Sequence, residues 1–503
     1  MIKDITDLAL EIGDKTTLAL LIIPSLVLNV ENFADKALES LKSARSWKIR
    51  ILISEAKLLL KQLEDFTRNL NESLEQFRRD PERNYKELSL YIPYMMAKED
   101  ERGEKFFNKL IDILKDLFSN DRIELDDVNE FFNVFMRYFL MFDLDATSIL
   151  EKLYDFYSEI DASIYFLDTL ANYLKYGYFV PIPTSVIKYL YENIYRHLDY
   201  SDYQFVRFLG TLLLNLSRID NDKALAEYRK LKDVFSSPVD SFKLYTTIRD
   251  LSARVGLTFS LLKENLINHY FEETKSLIYD LKEFAKQLKW KYDDWRRGNV
   301  ISLEDIDIFA EEFKEIAEEE YVGEIELLED PNYYFNTVIS YLANTIEAIL
   351  TDLVNILISG KNEKVQQAYS IARNLLELLE LFPYFDSSFK ASVYASMAVI
   401  TSKVKMDDSL EALKKTEKYV ITFCTKEEEF YCNELILEFG DRIAKMYFLT
   451  KDNNVLEYLI DLLTEKESHF KKNRFLLRGF ASGLYGMATL LDYWKKYKEA
   501  LGY

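Results

Sequence analysis

The sequence predicts an all-α fold: a multi-helix bundle with solenoid-like stacking of antiparallel helical hairpins and no central sheet. Three observations carry this. Glycine and proline are scarce, 13 and 8 in 503 residues, whereas a sheet needs many tight turns. Apolar residues recur at steps of three and four over long stretches, the period of one helix face. Hydrophobic residues make up 49% of the chain, with 34 Phe and 35 Tyr, enough large side chains to fill the seams between helices.

The elements follow in order. "MIKDITDLALEIGDK" carries carboxylates where a signal peptide is basic. "TTLALLIIPSLVLNV" is apolar, but its fifteen residues fall short of the ~20 that a membrane span requires. A buried helix kinked at Pro24 is expected there, and no membrane span. Residues 25–80 hold neither Gly nor Pro. Within them Leu52, Ala56, Leu59, Leu63, Phe66, Leu70 and Phe77 form one side of a long helix, widened by Leu58, Leu60 and Leu74. Pro81 forces Asp80 toward an extended conformation and ends it.

"GEKFFNKLIDILKDLF" places Phe106, Leu110, Ile113 and Leu117 at helical spacing. "DATSILEKLYDFYSEI" starts at Asp145, an N-cap residue type. Gly177 stops a helix, and Pro181 and Pro183 make an extended link before the next. Ser237 with Pro238 reads as cap and first helical residue. A helix through "FEETKSLIYDLKEFAKQLKWKYDDWRRG" stops at Gly298, and Ser302 with Asp305 reads as a capping-box variant. Another helix runs from Pro331 to Gly360. Helices are then expected near 362–382, 386–404, 407–423, 426–449, 452–465 and 469–498, with Thr425 and Glu428 as a capping box. Their short links make successive helices antiparallel neighbours. This section is similar to tetratricopeptide-type solenoids in its hairpin stacking, although the small and aromatic positions of those repeats do not recur at a fixed period. The pattern divides the chain into an N-terminal bundle over 1–180, a middle region over 181–330 and C-terminal hairpins over 331–503.

The formal net charge is −21, which argues against a general nucleic-acid binder and leaves only local basic patches for that role. Two such patches are "KSARSWKIR", with Lys42, Arg45, Lys48 and Arg50 around Trp47, and "KWKYDDWRR", with Trp290, Lys291, Trp295, Arg296 and Arg297. The third joins Lys471, Lys472, Arg474 and Arg478 to Trp494, Lys495 and Lys496, and is the first choice for nucleic-acid contact. Cys424 and Cys432 are the two cysteines. They read as core or boundary thiols in a reducing, cytoplasmic setting. Scarce Gln and Cys beside common Glu, Lys, Ile and Tyr resemble the composition of a heat-adapted protein.

"RGFASGLYGMATLL" raises the sharpest question. Gly479, Gly483 and Gly486 are spaced by four and three, along one helix face, and not as a phosphate loop. Each costs about 1 kcal/mol against alanine inside a helix. Close approach of another helix is the expected return; an unwound turn beside a ligand is the competing one. Ser388, Ala391, Ser392, Ala395 and Ala398 form a second small-residue stripe.

Residues 301–330 hold thirteen acids and one lysine, and Glu311, Glu315, Glu318 and Glu319 share a helix side. A solvated acidic face that docks a basic protein partner is expected, since no Glu-x-x-His motif accompanies it. His197, His269 and His469 are far apart. "DDVNE", with Asp126, Asp127 and Glu130, resembles the aspartate-rich metal motif of class I isoprenoid synthases, whose acids hold magnesium against a diphosphate. The same residues read as an N-cap at Asp126 with acids in the first turn. No cofactor is expected otherwise. The leading expectation is a non-catalytic, all-helical interaction or scaffold protein that binds another protein. An accessory subunit of a nucleic-acid-processing complex and a carboxylate- and magnesium-dependent helical enzyme are the alternatives.

Overall fold

The computed structural model describes residues 2–489 apart from 29, 31, 45, 60–69, 80, 82–87, 99–101, 121, 161, 427–428, 465–473 and all of 300–330 except Leu303 and Phe309. Among the described residues every regular element is helical. They gather into two compact units, one of Met1–His197 with Glu429–Tyr503 and one of Leu198–Glu428.

The first unit begins with α1 (Ile2–Ile12), α2 (Lys15–Val27), α3 (Phe33–Leu41), α4 (Trp47–Leu59), α5 (Leu70–Arg79) and α6 (Leu88–Ala97). It continues with α7 (Arg102–Ser119), α8 (Leu125–Met141), α9 (Thr147–Glu159), α10 (Ser163–Lys175) and α11 (Thr184–Asn193). The second contains α12 (Val206–Leu216), α13 (Asn221–Val234), α14 (Leu244–Thr258) and α15 (Ile267–Arg296), then α16 (Pro331–Ile358), α17 (Val365–Leu381), α18 (Ser387–Thr401) and α19 (Met406–Cys424). The chain returns to the first unit with α20 (Glu429–Thr450), α21 (Asn453–Thr464) and α22 (Arg474–Ala488).

This two-part division differs from the expected segments 1–180, 181–330 and 331–503. The Pro181–Pro183 link is non-helical, but it joins α10 and α11 of one unit. The C-terminal hairpins are divided because α22 buries its apolar side against α2 and α20. A helix that closes on the start of the chain leaves no signature in local composition.

The core of the first unit is built on α8. Phe131, Phe132, Phe135 and Phe139 are at most 1% exposed, because "FFNVFMRYF" puts rings on more than one side of the helix. Phe135 lies 5.2 Å from Phe107 of α7, centroid to centroid. The expected α7 stripe of Phe106, Leu110, Ile113 and Leu117 is buried. Helix α2 is apolar all round and continues through Pro24, with Leu18, Leu21, Ile22 and Ile23 buried. In the second unit α16 plays this part, with Tyr334, Phe335, Val338, Leu342 and Ile346 fully buried. It has the length and apolarity of a membrane span, but 61% of its apolar window is buried, and it packs against α14 and α18.

Several expected boundaries move. The stripe from Leu52 to Phe77 falls on α4 and α5, with residues 60–69 outside the described residues. Pro238 does not start a helix: Asp240 accepts a hydrogen bond from the Phe242 backbone at 2.9 Å, a side-chain turn that delays α14 to Leu244. Thr425 closes α19 instead of opening α20, its hydroxyl donating to the Thr422 carbonyl at 2.8 Å; its expected partner Glu428 is outside the described residues. The N-cap of α9 is Ala146, not Asp145, which stands one residue earlier and accepts from the Thr147 backbone at 2.9 Å. Gly298 and Gly360 follow α15 and α16 with φ of +86° and +80°, where a side chain would be strained. Cys424 and Cys432 are disulfide-bonded. This corrects the reading as two thiols and removes the ground for a reducing compartment.

Candidate functional sites

Helix α22 answers the question its glycines raise, and it answers it twice. A Cβ at Gly479 would land on the backbone of Leu437 in α20, and one at Gly440 of α20 would land on the Leu476 carbonyl. The two helices therefore touch backbone to backbone. At Gly483 a Cβ would meet Ala444 Cβ at 2.7 Å and the Asp441 carbonyl at 2.8 Å. Gly486 is different: among the described residues nothing lies within 4 Å of its Cβ position. Close packing holds for two of the three glycines, and the expectation is corrected at the third.

Gly486 faces a cavity of about 150 Å³ within the first unit. Leu140, Met141 and Val180 give it an apolar wall, and Arg137, Tyr176 and Tyr485 bring polar groups to it. Thr489 lines it beside Gly486, where the helix takes a π-type turn. The Thr489 hydroxyl is spent on its own helix, at 2.9 Å from the Tyr485 carbonyl and 3.0 Å from the Gly486 carbonyl.

Against this cavity lies a buried polar cluster that sequence reading missed. Glu55 of α4 is 0% exposed. Its Oε1 accepts from Arg137 Nη2 at 2.9 Å and from the Tyr138 hydroxyl, and its Oε2 accepts from the Tyr485 hydroxyl at 2.6 Å. Arg137 Nη2 also reaches the Tyr138 and Tyr485 oxygens at 3.2 and 3.3 Å. The arrangement decides the charges. Burial pushes both tyrosine hydroxyls well above their ordinary range, and the nearby Glu55 adds to it. Burial alone would lower Arg137, but Tyr485, Tyr138 and Glu55 outweigh it and hold the guanidinium protonated. Taking an ion pair out of water costs several kcal/mol per ion, so the added tyrosine bonds are what make the pair tolerable. Among the described residues Arg137 Nε is buried with no hydrogen-bond partner. The signal was an arginine within the apolar C-terminal half of α8, in "VFMRYFLM", but its partners Glu55 and Tyr485 come from α4 and α22, far away in sequence.

The other residues singled out fare unevenly. Arg478 is not a free basic contact: its Nε and Nη2 grip Asp14 side-on at 3.0 and 2.8 Å. Asp14 is only 7% exposed and also accepts from the Thr17 hydroxyl at 2.6 Å. Burial raises the Asp14 carboxyl, but the bonds from Arg478 and Thr17 outweigh it and hold it below the usual range. Arg474 is exposed, 5.7 Å from the Phe475 ring. Lys471, Lys472, Trp494, Lys495 and Lys496 lie outside the described residues, as do Glu311, Glu315, Glu318 and Glu319, and Ser302 with Asp305.

Asp126, Asp127 and Glu130 are exposed on the first turns of α8, whose N-cap is Glu124, not Asp126. Among the described residues no group of three metal-capable side chains forms, so these acids are not gathered into the arrangement the isoprenoid-synthase resemblance implied. In the second small-residue stripe, Ala391, Ser392, Ala395 and Ala398 are buried on α18, and Ser409 of α19 donates to the Ala398 carbonyl at 2.5 Å. In the second unit Lys263, desolvated beside Arg218 and Lys361, is pushed down to about 7.

A surface feature stands out on α15. Tyr279 is 73% exposed and Trp290 60%. Eleven residues make three helical turns, so the two rings share one face. Glu272, Lys275 and Lys286 are exposed on that stripe, with Glu283 half-buried. Lys291 is buried under Trp290, 5.2 Å from its ring and 4.2 Å from that of Phe242, itself 42% exposed. Arg296 lies over the Tyr292 and Tyr384 rings at 5.8 and 5.6 Å. Two charges of this expected basic patch are thus engaged within the unit.

No protein-family model, curated protein or solved structure matches the chain.

Proposed function

We propose that the chain is a non-catalytic, all-helical interaction protein that binds another protein through the outer face of α15. The observation that carries this is the pair Tyr279 and Trp290, large rings left in water three turns apart on a 30-residue helix. Rings of this size contribute most of the binding energy when an interface desolvates them. Tyr and Trp also lose few rotamers on docking, so the gain is not cancelled by side-chain entropy. Lys275 and Lys286 sit between and beside the rings. A partner segment with apolar residues and carboxylates at helical spacing fits this face. Lys291 and Arg296 pack on rings of their own unit, which favours a protein partner over a phosphate backbone.

The test compares the full chain with a Tyr279→Ser/Trp290→Ser variant in native purification from the host. Both side chains are exposed, so the variant should keep its melting temperature. The expected result is one stoichiometric protein partner, lost by about tenfold or more in the variant. Equal recovery by the variant rules out this face. Salt-sensitive recovery of nucleic acid in its place, or turnover of a small substrate with no stable partner, rules out the function.

A further inference from the structure

Three links between helices of the second unit carry a cation to one place. Arg218 lies between α12 and α13, Lys263 between α14 and α15, and Lys361 between α16 and α17. Lys361 Nζ donates to the carbonyl of Leu262, the residue before Lys263, at 2.6 Å, so the second and third links touch. Helix α12 packs on the short helical turn Phe259–Leu261 that leads into the second, which brings Arg218 alongside. Lys263 is half-buried, and its chain neighbours Leu261, Leu262, Leu266 and Ile267 are at most 5% exposed. An ammonium there is partly out of water and meets two further positive charges. Desolvation, then Arg218, then Lys361 lower it to about 7, so near neutral pH much of it is the free amine. Arg218 keeps its charge, because a guanidinium does not lose its proton in proteins. Burial lowers Lys361 as well and Lys364 adds to it, but the exposed Glu264 and Glu363 act against this. Lys364 itself donates to Asn268 Oδ1 at 2.8 Å.

We infer that Lys263 is a carbon dioxide site: its Nζ attacks the carbon of CO2 and becomes a carbamate beside Arg218 and Lys361. The step balances without a further reagent. The nitrogen lone pair forms the N–C bond, one C=O electron pair moves onto oxygen, and a proton leaves Nζ for solvent. The sign of the product selects the electrophile. A carbamate turns three mutually repelling cations into two cations beside one anion, so attraction replaces repulsion. An aldehyde would give an iminium, a cation again, with both repulsions kept. CO2 also needs little room, and a half-buried amine stays open to so small a molecule.

The experiment uses the purified full chain and isotopically labelled CO2 at a fixed dissolved concentration. The carbamate carbon is followed by NMR, then trapped by ethylation and located by peptide mapping. The trapped group is expected on Lys263, at least about tenfold above any other lysine, because an ordinary lysine at about 10.4 is the free amine about a thousandfold less often near neutral pH. The signal should rise as pH rises through about 7 and vanish in Lys263→Arg, which keeps the charge and removes the amine. Arg218→Met changes an exposed side chain, so its melting temperature should hold while the signal falls by at least about threefold. No trapped carbamate on Lys263, or one on the chain's α-amino group alone, overturns the proposal. Saturable binding of inorganic phosphate at these residues with no trapped carbamate makes the cluster an anion site and overturns it too. An equal signal in folded Arg218→Met overturns the role of the flanking cations. The trapping needs only the unaltered chain, so it decides even if a variant does not fold. No readout involves Tyr279 or Trp290, so this inference and the α15 reading fail separately.

Discussion

The two halves of α22 use the same residue for opposite ends. At Gly479 the missing side chain is a space already taken by the backbone of α20; at Gly486 it is a space left open beside Arg137. Gly483 follows Gly479 by four residues and Gly486 follows Gly483 by three, and this spacing alone does not distinguish them. The difference teaches that a helical glycine reports a demand for room, and only the neighbouring helix says whether the room is filled.

The comparison breaks first at Gly479. Gly479→Ala drives a methyl into the Leu437 carbonyl, so α20 and α22 must separate along their length. A loss of about 3–5 kcal/mol is expected in chemical denaturation, large because the clash is with backbone and no rotamer relieves it. A loss below about 1 kcal/mol would mean that the two helices are not held by this contact.

Arg478, one residue earlier, sharpens it. Arg478→Met leaves Asp14 buried without its counter-ion, and about 3 kcal/mol should be lost near neutral pH. The Asp14 carboxyl is lower folded than unfolded. Its contribution is therefore fully present above the unfolded value near 3.8 and lost as pH falls through the folded one. Stability of the natural chain should fall in that acid window, and the variant should lose that dependence. Melting scans between neutral pH and about pH 3 check both; an unchanged acid profile in the variant would detach Asp14 from Arg478.

The smallest effect lies at Gly486. Gly486→Ala meets no atom of the described residues and removes backbone entropy from the unfolded chain, so a gain of about 0.5–1 kcal/mol is expected. A loss at this position would show that the space beside it is not open. Opposite signs at Gly479 and Gly486, read by the same denaturation experiment, are the strongest single support for the contrast.

Much of the architecture was written locally. The α7 stripe, the helix from Ile267 to Arg296 and the hairpins after Gly360 follow from apolar period, caps and positive-φ glycines, because those signals act within a few residues. The same local rules misplaced Pro238 and Thr425, where a side chain of the turn bonded to a nearby backbone group first. The candidate sites were legible in part. Trp290 was picked out by its basic neighbours, but Tyr279 was not, since exposure of a ring on a packed helix depends on which face its neighbours leave bare. Glu55 and Arg137 were invisible, because one acid and one arginine 82 residues apart look like ordinary surface charge until α4, α8 and α22 bury them together.

By itself, then, the sequence determined that the chain is helical, where most helices stop, and that room is needed at Gly479, Gly483 and Gly486. Tertiary structure alone decided that α22 closes on α2, that Arg478 serves Asp14, and that Gly486 opens on a cavity lined by Arg137, Leu140 and Met141. The physical reason is range. Helix propensity, capping and amphipathic period are fixed by residues a turn or two apart, whereas desolvation, ion pairing and interhelical clearance depend on segments hundreds of residues away.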